Sequence, residues 1–299
     1  MIKTFFSSLR IILYLFILVL VYVFYLSRDL PSLERLETFD PAMLSTLYDR
    51  NGEVIGEFYI QKRVFVDIED MPNHLKEAVI ASEDKRFYSH WGVDSQSFFR
   101  AVVVNVSSMS FRQGFSTLSQ QLARNLYKEV GFKDSITRKL KEMITAVQIE
   151  RTYTKDEILE MYLNTVHFGH GTYGAESAAK RFFNKTASEL TIGESAMLVG
   201  LLPSPANYSP LRNLNKAIGR RSIVLKLMYN QDYINYQEYM EHNSIIPDNI
   251  FYEIPKGKAP YFAEHVRRIL EKQDEQLGID IYQDGLKIYT TLDYRLQKI

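Results

Sequence analysis

The sequence predicts a mainly α-helical domain between two small β-containing flanks, preceded by an N-terminal transmembrane helix. Apolar residues recur at helical spacing from about Pro72 to Gln231. An Asn51-Gly52 pair lies between two alternating segments, as in a β-hairpin. The run from Ile11 to Leu26 contains only apolar and aromatic residues. With its immediate neighbours, this run is long enough for a membrane-spanning helix.

Composition narrows the possible functions of the chain. Its 299 residues carry 36 Lys and Arg against 36 Asp and Glu, so the formal net charge is zero. We therefore expect no nucleic-acid partner, and any anion site must be local. The lack of cysteine in the sequence excludes disulfides, thiol catalysis and cysteine-ligated zinc.

The charges around the apolar run predict its orientation. Lys3 and Arg10 precede it, while Arg28 and Asp29 cancel after it, so the positive-inside rule places the N-terminus in the cytoplasm. We find no small-residue cleavage site after the run, which favours an uncleaved signal anchor over a removed signal peptide. A buried core helix is the less favoured alternative for so uniform a run. The rest of the chain would then lie outside the cytoplasm.

Local signals predict the remaining elements. STLYDRNGEVIGEFY predicts the hairpin and RVFVDI a further strand. Capping boxes at Thr154/Glu157 and Thr191/Glu194 mark helix starts. Near the C-terminus, YFAEHVRRILEK predicts a helix and GLKIYTTLD a strand. We expect four segments: a cytoplasmic tip with the signal anchor (1–28), a stalk with the hairpin (29–70), the helical domain (71–245) and a linker that starts a following region (246–299).

An acidic pair, Glu83 and Asp84, lies where the apolar face of the first predicted helix of this domain ends. In VIASEDKRFYSHWGVD, Glu83 lies four residues after Val79 and so flanks the apolar stripe of Leu75 and Val79, whereas Asp84 points roughly the other way. A carboxylate held against apolar packing loses hydration, which raises its pKa and suits it to proton transfer near neutral pH. A solvated acidic pair at a helix end is the competing interpretation, and this stretch alone does not decide between them.

Two further stretches suit a bound anion. GFSTLSQQLARN opens a helix, where free backbone amides and the helix dipole favour negative charge, and Thr117 and Gln120 are spaced for a capping box. In SITRKLKEMITAVQIER, Arg138, Lys139 and Glu142 cluster opposite the predicted apolar face. That face consists of Ile136, Leu140, Met143, Ile144 and Val147. Two cations with one acid suit a phosphate site in which the acid holds a metal ion or orients a base. An ordinary capped helix and a solvated helix face are the alternatives.

Three other patterns are set aside. Gly169-His170-Gly171-Thr172-Tyr173-Gly174 matches a dinucleotide fingerprint but follows a predicted helix rather than a strand. Ser177 and Lys180 match a serine-nucleophile pattern, but the sequence has no Lys-Thr-Gly or Ser-x-Asn element to accompany it. His167 and His170 are interpreted as loop residues rather than metal ligands.

Taken in order, five stretches resemble the motifs of glycosyltransferase family 51, the glycan-polymerising part of class A penicillin-binding proteins and their monofunctional relatives. They are EDKRFYSHWG, GFSTLSQQLARN, RKLKE, KDEILEMYLNTVHFGHGTYGAESAAKRFF and LTIGESAMLVGLLPSPANYSP. The resemblance covers roughly residues 72 to 215. It implies a lysozyme-like helical glycosyltransferase domain outside the bacterial cytoplasmic membrane, held there by a single N-terminal span. Phe115 stands where a small residue is usual, and Arg124 stands where lysine is usual. At Arg124 a planar guanidinium therefore replaces a compact ammonium group.

The resemblance also implies roles for individual residues. Glu83 would deprotonate the acceptor sugar's 4-hydroxyl, which attacks the anomeric carbon of a lipid-linked donor with inversion. Arg124, Arg138 and Lys139 would stabilise the departing pyrophosphate. Glu142 would assist through Mg²⁺ or another divalent cation, or through orientation. The other implied substrate-binding residues are Asp84, Phe87, His90, Gly92, Ser116, Thr117, Gln120, Gln121, Asn125, Lys155, Asn164, Gly169 and Gly174.

The implied partners are lipid II, the growing glycan strand, the bacterial inner membrane and other cell-wall synthesis proteins. Between the first two motifs, SFFRAVVVNVSSMSFRQG has an apolar body with Arg100 and Arg112 at its margins, which suits a segment at the membrane interface. A plain core helix is the alternative. GLKIYTTLDYRLQ resembles the segment that leads into a transpeptidase domain in class A proteins, and no transpeptidase activity is expected of this chain.

Two other functions compete with glycan polymerisation. A lysozyme-like hydrolase or lytic transglycosylase also uses one key glutamate in a helical fold. Glycan cleavage needs no pyrophosphate site, so the three cations argue against it. A catalytically silent membrane-anchored scaffold would be expected to lack Glu83 or Glu142, and both are present.

Overall fold

The computed structural model describes residues 14, 17–18, 21–28, 30, 32–33, 45–58, 65–108, 114, 116–128, 136–245, 250, 258–279, 281 and 285–297. Residues 21–27 are helical. Within the described part of the chain, no helix combines the length and the apolar character that crossing a membrane requires. The predicted anchor from Ile11 to Leu26 lies partly outside the described residues.

Helices dominate the described chain, as the sequence predicts. In chain order they are α1 (Asn73–Glu83), α2 (Ser95–Ser108), α3 (Leu118–Lys128), α4 (Ile136–Thr152), α5 (Lys155–Thr165), α6 (Ala175–Phe183), α7 (Ile192–Leu201), α8 (Pro205–Tyr208), α9 (Leu214–Tyr229), α10 (Tyr236–Ser244), α11 (Pro260–Leu277) and α12 (Tyr294–Gln297). The strands are β1 (Ser45–Tyr48), β2 (Val54–Phe58), β3 (His167–Gly169), β4 (Thr172–Tyr173) and β5 (Lys287–Tyr289). Single 3₁₀ turns lie at Ile68–Asp70, Phe87–Ser89 and Ala187–Glu189.

The chain forms two compact units. The first contains Met1–Thr38 and Arg86–Ile158, and the second contains Phe39–Lys85 and Leu159–Ile299. The predicted helical domain, 71–245, contributes residues to both units. Its boundaries as one segment stay a prediction.

In the first unit, α3 packs against α4. The buried face of α4 is not the apolar stripe that the sequence suggests. Leu140, Met143, Ile144 and Val147 are only half-buried, whereas the face with Glu142, Thr145, Ala146 and Ile149 is fully buried. The interpretation of Glu142 as part of a solvated helix face is therefore wrong, because α3 covers that face and brings compensating charges to it.

In the second unit, α1, α7 and α9 pack together. Helix α7 is buried on every side from Gly193 to Leu201, as expected for a helix that is apolar all round. The predicted capping box of Thr191 and Glu194 opens α7. The box predicted at Thr154 and Glu157 is also confirmed: Thr154 N donates to Glu157 Oε2 at 2.7 Å, and Glu157 N donates to Thr154 Oγ1 at 3.3 Å.

The two predicted β-containing flanks join in one sheet of the second unit. Strands β1 and β2 form the predicted antiparallel hairpin, and Gly52 has φ +81° in its turn. Strand β5 pairs in parallel with β1, so the strand order is β2-β1-β5. A small apolar core beneath the sheet consists of Leu47, Ile55, Phe58, Ala259, Ala263 and Ile281.

The strand predicted for RVFVDI is wrong over its described residues. Residues 65–67 are irregular, and Ile68 begins a 3₁₀ turn. Side chains from α5 form hydrogen bonds with the backbone of this segment, in place of the bonds that a neighbouring strand would make. Val66 exchanges hydrogen bonds with the Asn164 amide at 3.0 and 2.9 Å, and Ile68 N donates to Glu160 Oε2 at 2.7 Å.

Candidate active site

Three cations converge on one buried carboxylate in the first unit. The Glu142 side chain on α4 is only 1% exposed. Arg124 Nε and Arg138 Nε lie 3.5 and 3.3 Å from Glu142 Oε1, and Lys139 Nζ lies 3.1 Å from Oε2. Three positive charges around one negative charge leave an excess of two positive charges. Such an excess in a partly buried setting favours a bound anion.

Lys139 is held by three acceptors. Its Nζ donates to Ser116 Oγ at 2.8 Å, to Gln120 Oε1 at 3.0 Å and to Glu142 Oε2 at 3.1 Å. Burial lowers the pKa of Lys139 below its ordinary 10.5, an effect that the Glu142 carboxylate opposes. Ser116 Oγ also accepts from Arg124 Nη2 at 3.4 Å. The second and third sequence motifs therefore meet in one polar cluster, which we call the Glu142 cluster: Ser116, Gln120, Arg124, Arg138, Lys139 and Glu142.

Thr117 connects the start of α3 to the loop of the first motif. Its hydroxyl donates to Gly92 O at 2.6 Å and accepts from Gln120 N at 3.2 Å. The second bond is one half of the predicted capping box, while the Gln120 side-chain carbonyl binds Lys139. Gly92 has φ +82°, and a Cβ there would lie 2.6 Å from Ala146 O. Only glycine therefore fits this close approach of loop and helix.

A second buried carboxylate, Glu150, organises the other end of α4. Lys155 Nζ lies 2.7 Å from both Glu150 oxygens and donates to His90 O at 2.8 Å. Ser119 Oγ donates to Glu150 Oε1 at 2.6 Å, and His90 Nδ1 lies 3.8 Å from that same oxygen. The Lys155 ammonium also lies 4.5 Å from the centre of the buried Phe87 ring.

The remaining candidates of the first unit have simpler surroundings. Gln121 N donates to Thr117 O at 2.9 Å inside α3, and Asn125 is half-buried on the same helix. In α2, Phe99 and Val103 are each 66% exposed. The predicted interfacial segment stays a prediction, and Arg112 at its margin and Phe115 beyond it lie outside the described residues.

Glu83 and Asp84 lie at the end of α1 in the second unit. Leu75 and Val79 on the predicted stripe are fully buried, and Glu83 is the half-buried last residue of the helix. Asp84 is the buried C-cap residue, and its N–H donates to Ile80 O at 3.1 Å. The predicted placement of Glu83, at the point where the buried face of the helix ends, agrees with this structure. Its catalytic role stays a prediction.

Three candidates from the fourth motif occupy structural positions in the second unit. The Asn164 amide binds the backbone of Val66 and the carbonyl of Glu160. Gly174 has φ +82°, and a Cβ there would lie 2.7 Å from Asn164 O. Gly169 has φ +89°, and a Cβ there would lie 3.0 Å from Pro205 Cβ. These contacts give each residue a role in holding the fold, while substrate binding by them stays a prediction.

The glycine-rich stretch that resembles a dinucleotide fingerprint is a β-hairpin. Strands β3 and β4 flank His170 and Gly171, whose φ values are +55° and +67°, as a two-residue type I′ turn requires. His170 Nε2 lies 2.7 Å from Ser209 Oγ, and burial, followed by nearby arginines, holds the ring pKa well below its ordinary value.

The residues around Glu142 do not fit a divalent cation. A Mg²⁺ or Ca²⁺ site gathers several oxygen ligands, whereas the neighbours of Glu142 include three cations within 3.5 Å. Over the described ranges, no group of three or more His, Cys, Asp and Glu side chains is arranged to hold a metal ion. These surroundings do not suit a divalent cation at Glu142, and a role of Glu142 in orienting the cations stays a prediction.

Sequence reasoning did not single out Glu150. One signal could have found it, because an acidic residue in the last turn of α4 opposes the helix dipole and needs a specific cation to compensate it.

Comparisons with known proteins place these motifs in context. Residues 51–229 match the model of the transglycosylase family. Penicillin-binding protein 1A of Neisseria flavescens is 40% identical over 275 residues, which are 90% of this chain and 33% of the relative. Penicillin-binding protein 1A of Aquifex aeolicus is 37% identical over 291 residues, which are 97% of this chain and 39% of the relative. The chain thus spans 33% to 39% of the length of these curated relatives.

Proposed function

Because this chain belongs to the transglycosylase family, as its five motifs predict, we propose that it is a peptidoglycan glycosyltransferase. It polymerises lipid II into glycan strands with inversion and releases polyprenyl pyrophosphate. Family membership supports transfer of a glycosyl group. The lipid-linked substrate and the polymeric product are the proposal.

The observation that carries the proposal is the excess of positive charge in the Glu142 cluster. As the bond to the anomeric carbon breaks, its electron pair leaves on the pyrophosphate, where negative charge grows. Cations already fixed in place stabilise that charge without reorganisation. Ser116, Gln120 and Glu142 fix Lys139 in this way. A glycan-cleaving enzyme has no pyrophosphate to bind.

Glu83 completes the proposed reaction as general base. The acceptor's 4-hydroxyl oxygen forms the new bond to the donor's anomeric carbon, and its proton passes to the Glu83 carboxylate. The leaving group is already activated, so it needs electrostatic stabilisation rather than a strong acid. One base and one cation cluster are sufficient for this step.

The proposed location is the outer face of the bacterial cytoplasmic membrane. The charge pattern around the apolar run from Ile11 to Leu26 supports a single span with the N-terminus inside. The exposed Phe99 and Val103 on α2 support contact of the catalytic region with the lipid interface.

The test is incubation of the full chain in detergent with fluorescent lipid II, followed by separation of the products by size. Polymer that lysozyme digests supports the proposal, and Glu83→Gln is the negative control. Release of fragments from purified cell-wall sacculi would instead support the lytic alternative. If the chain forms neither polymer nor released fragments, the non-catalytic scaffold is the remaining function.

A further inference from the structure

We propose that Glu150 is a positioning residue, which fixes the loop between Phe87 and Gly92 against the start of α3 by holding Lys155. This inference rests on the proposed function, because the braced segments carry the first and second motifs. It also changes the role of Lys155 from a substrate-binding cation to a brace within the protein.

The geometry of Lys155 supports this change of role. An ammonium group has three N–H donors. Three acceptor oxygens surround Lys155 Nζ, namely both oxygens of Glu150 at 2.7 Å and the carbonyl of His90 at 2.8 Å. A cation whose donors point to protein acceptors is held in place, and binding a phosphate would require it to break these bonds.

Glu150 reaches α3 directly. Its Oε1 accepts from Ser119 Oγ at 2.6 Å, and the next residue, Gln120, accepts from Lys139 in the Glu142 cluster. The carboxylate therefore connects the first-motif loop, through Lys155, with the helix turn that orients Lys139.

The loop is held at two neighbouring carbonyls. Lys155 binds His90 O at 2.8 Å, and Thr117 binds Gly92 O at 2.6 Å. Trp91 lies between them, is 76% exposed and is the single tryptophan of the sequence. Its fluorescence therefore reports the mobility of this loop without a contribution from another tryptophan.

The position of Glu150 indicates that its charge matters. Its side chain is 5% exposed, and it lies in the last turn of α4, where the helix dipole disfavours a negative charge. Removing one partner of a buried pair leaves an uncompensated charge, whereas replacing both partners by neutral groups often keeps stability. Single and double substitutions can therefore separate positioning from folding.

The experiment compares the full-chain protein with Glu150→Gln, Lys155→Met and the double variant. The control is the double variant Lys185→Met/Glu194→Gln, because Lys185 and Glu194 form a similar pair at 2.8 Å in the second unit. Three quantities are measured: the melting temperature, the kcat and KM for lipid II, and the fluorescence anisotropy of Trp91.

We expect the double variant at Glu150 and Lys155 to melt near the wild-type temperature while its kcat falls by about 10²-fold, as for a misplaced catalytic group. Its KM should change little, and its Trp91 anisotropy should fall. The control pair should keep both kcat and anisotropy.

Two outcomes would overturn the proposal. One is a double variant with wild-type kcat and wild-type anisotropy. The other is a Lys155→Met variant whose KM rises at unchanged kcat while Glu150→Gln lowers KM, since Lys155 would then bind the substrate itself. If the wild type does not polymerise lipid II, the proposed function fails separately. The anisotropy of the variants then still decides whether Glu150 and Lys155 brace the loop.

Discussion

Replacing Lys139 by Met tests the Glu142 cluster most directly. Methionine keeps a long unbranched side chain but removes the ammonium that binds Ser116, Gln120 and Glu142 at 2.8 to 3.1 Å. Gln120 is fully buried and loses a donor. Glu142 keeps Arg124 and Arg138 nearby, so it is not left without a compensating charge.

These contacts set the expected magnitudes. A buried acceptor that loses its partner costs about 1–3 kcal/mol of unfolding free energy. For a protein of 299 residues that corresponds to a decrease of roughly 2–5 °C in melting temperature. Because folded proteins are typically stable by about 5–15 kcal/mol, most molecules stay folded. Loss of a preorganised donor to the leaving group should instead lower turnover by about 10²–10³-fold.

The assay is continuous turnover of fluorescent lipid II, with melting curves on the same preparations. Lys185→Met is the matched control, because Lys185 is also a partly buried cation paired with a glutamate but lies in the second unit. Its turnover should equal that of the wild type. Full activity in both Lys139→Met and Arg138→Ala would refute the assignment of the cluster to the pyrophosphate and favour the lytic and scaffold alternatives.

The pH dependence gives a second measurement on the same residue. Burial lowers the pKa of Lys139, and Glu142 opposes that effect. As the pH rises, Lys139 should therefore lose its proton, and turnover should decrease, before the pH reaches the ordinary lysine pKa of 10.5. Glu142→Gln removes the opposing carboxylate and should move this alkaline limb to lower pH. Between the folded pKa and 10.5 the unfolded chain binds the Lys139 proton and the folded chain does not. Titration of Lys139 therefore favours folding as the pH rises, and the loss of turnover is not caused by unfolding through this group. An alkaline limb that does not move in Glu142→Gln would contradict the coupling.

Four further predictions can be checked with the same protein. Glu83→Gln should reduce polymerisation by about 10²–10⁴-fold with an unchanged melting curve, and retention of more than about a tenth of the rate would exclude it as the base. Arg124→Lys should leave lipid II turnover close to the wild-type value, because lysine is usual at that position in the resembled family; a large loss would show that the planar fork is required. Labelled penicillin should form no stable adduct, because Ser177 is 4% exposed and the accompanying elements of a β-lactam site are missing from the sequence; an adduct on Ser177 would contradict this. Gly92→Ala should destabilise the protein by more than about 1 kcal/mol, since its Cβ would lie 2.6 Å from Ala146 O; an unchanged melting temperature would count against it.

Much of the fold could be predicted because its signals are local. The capping boxes predicted at Thr154/Glu157 and Thr191/Glu194 form between residues three positions apart, and the hairpin turn lies at Asn51 and Gly52. The third motif places Arg138, Lys139 and Glu142 within about one helical turn, so their contact follows from helix geometry alone.

Other features depended on residues far apart in the sequence. Which face of α4 is buried was misjudged, because α3 brings Arg124 and Ser116 to the polar face and so makes burial of Glu142 tolerable. The segment at Val66 is not a strand because Asn164, 98 residues away, binds its backbone. Strand β5 pairs with β1 although the two strands lie near opposite ends of the sequence.

The sequence alone thus determined the family, the helical character and the grouping of Arg138, Lys139 and Glu142, since each is encoded by side chains that lie close together along the chain. Only the tertiary structure decided which charges are paired inside the protein. The ammonium of Lys155 is one case: the family resemblance implies that it binds the substrate, but folding places Glu150 and the His90 carbonyl around it. A buried charge is stable only next to its compensating partner, and the identity of that partner is a property of the packed helices.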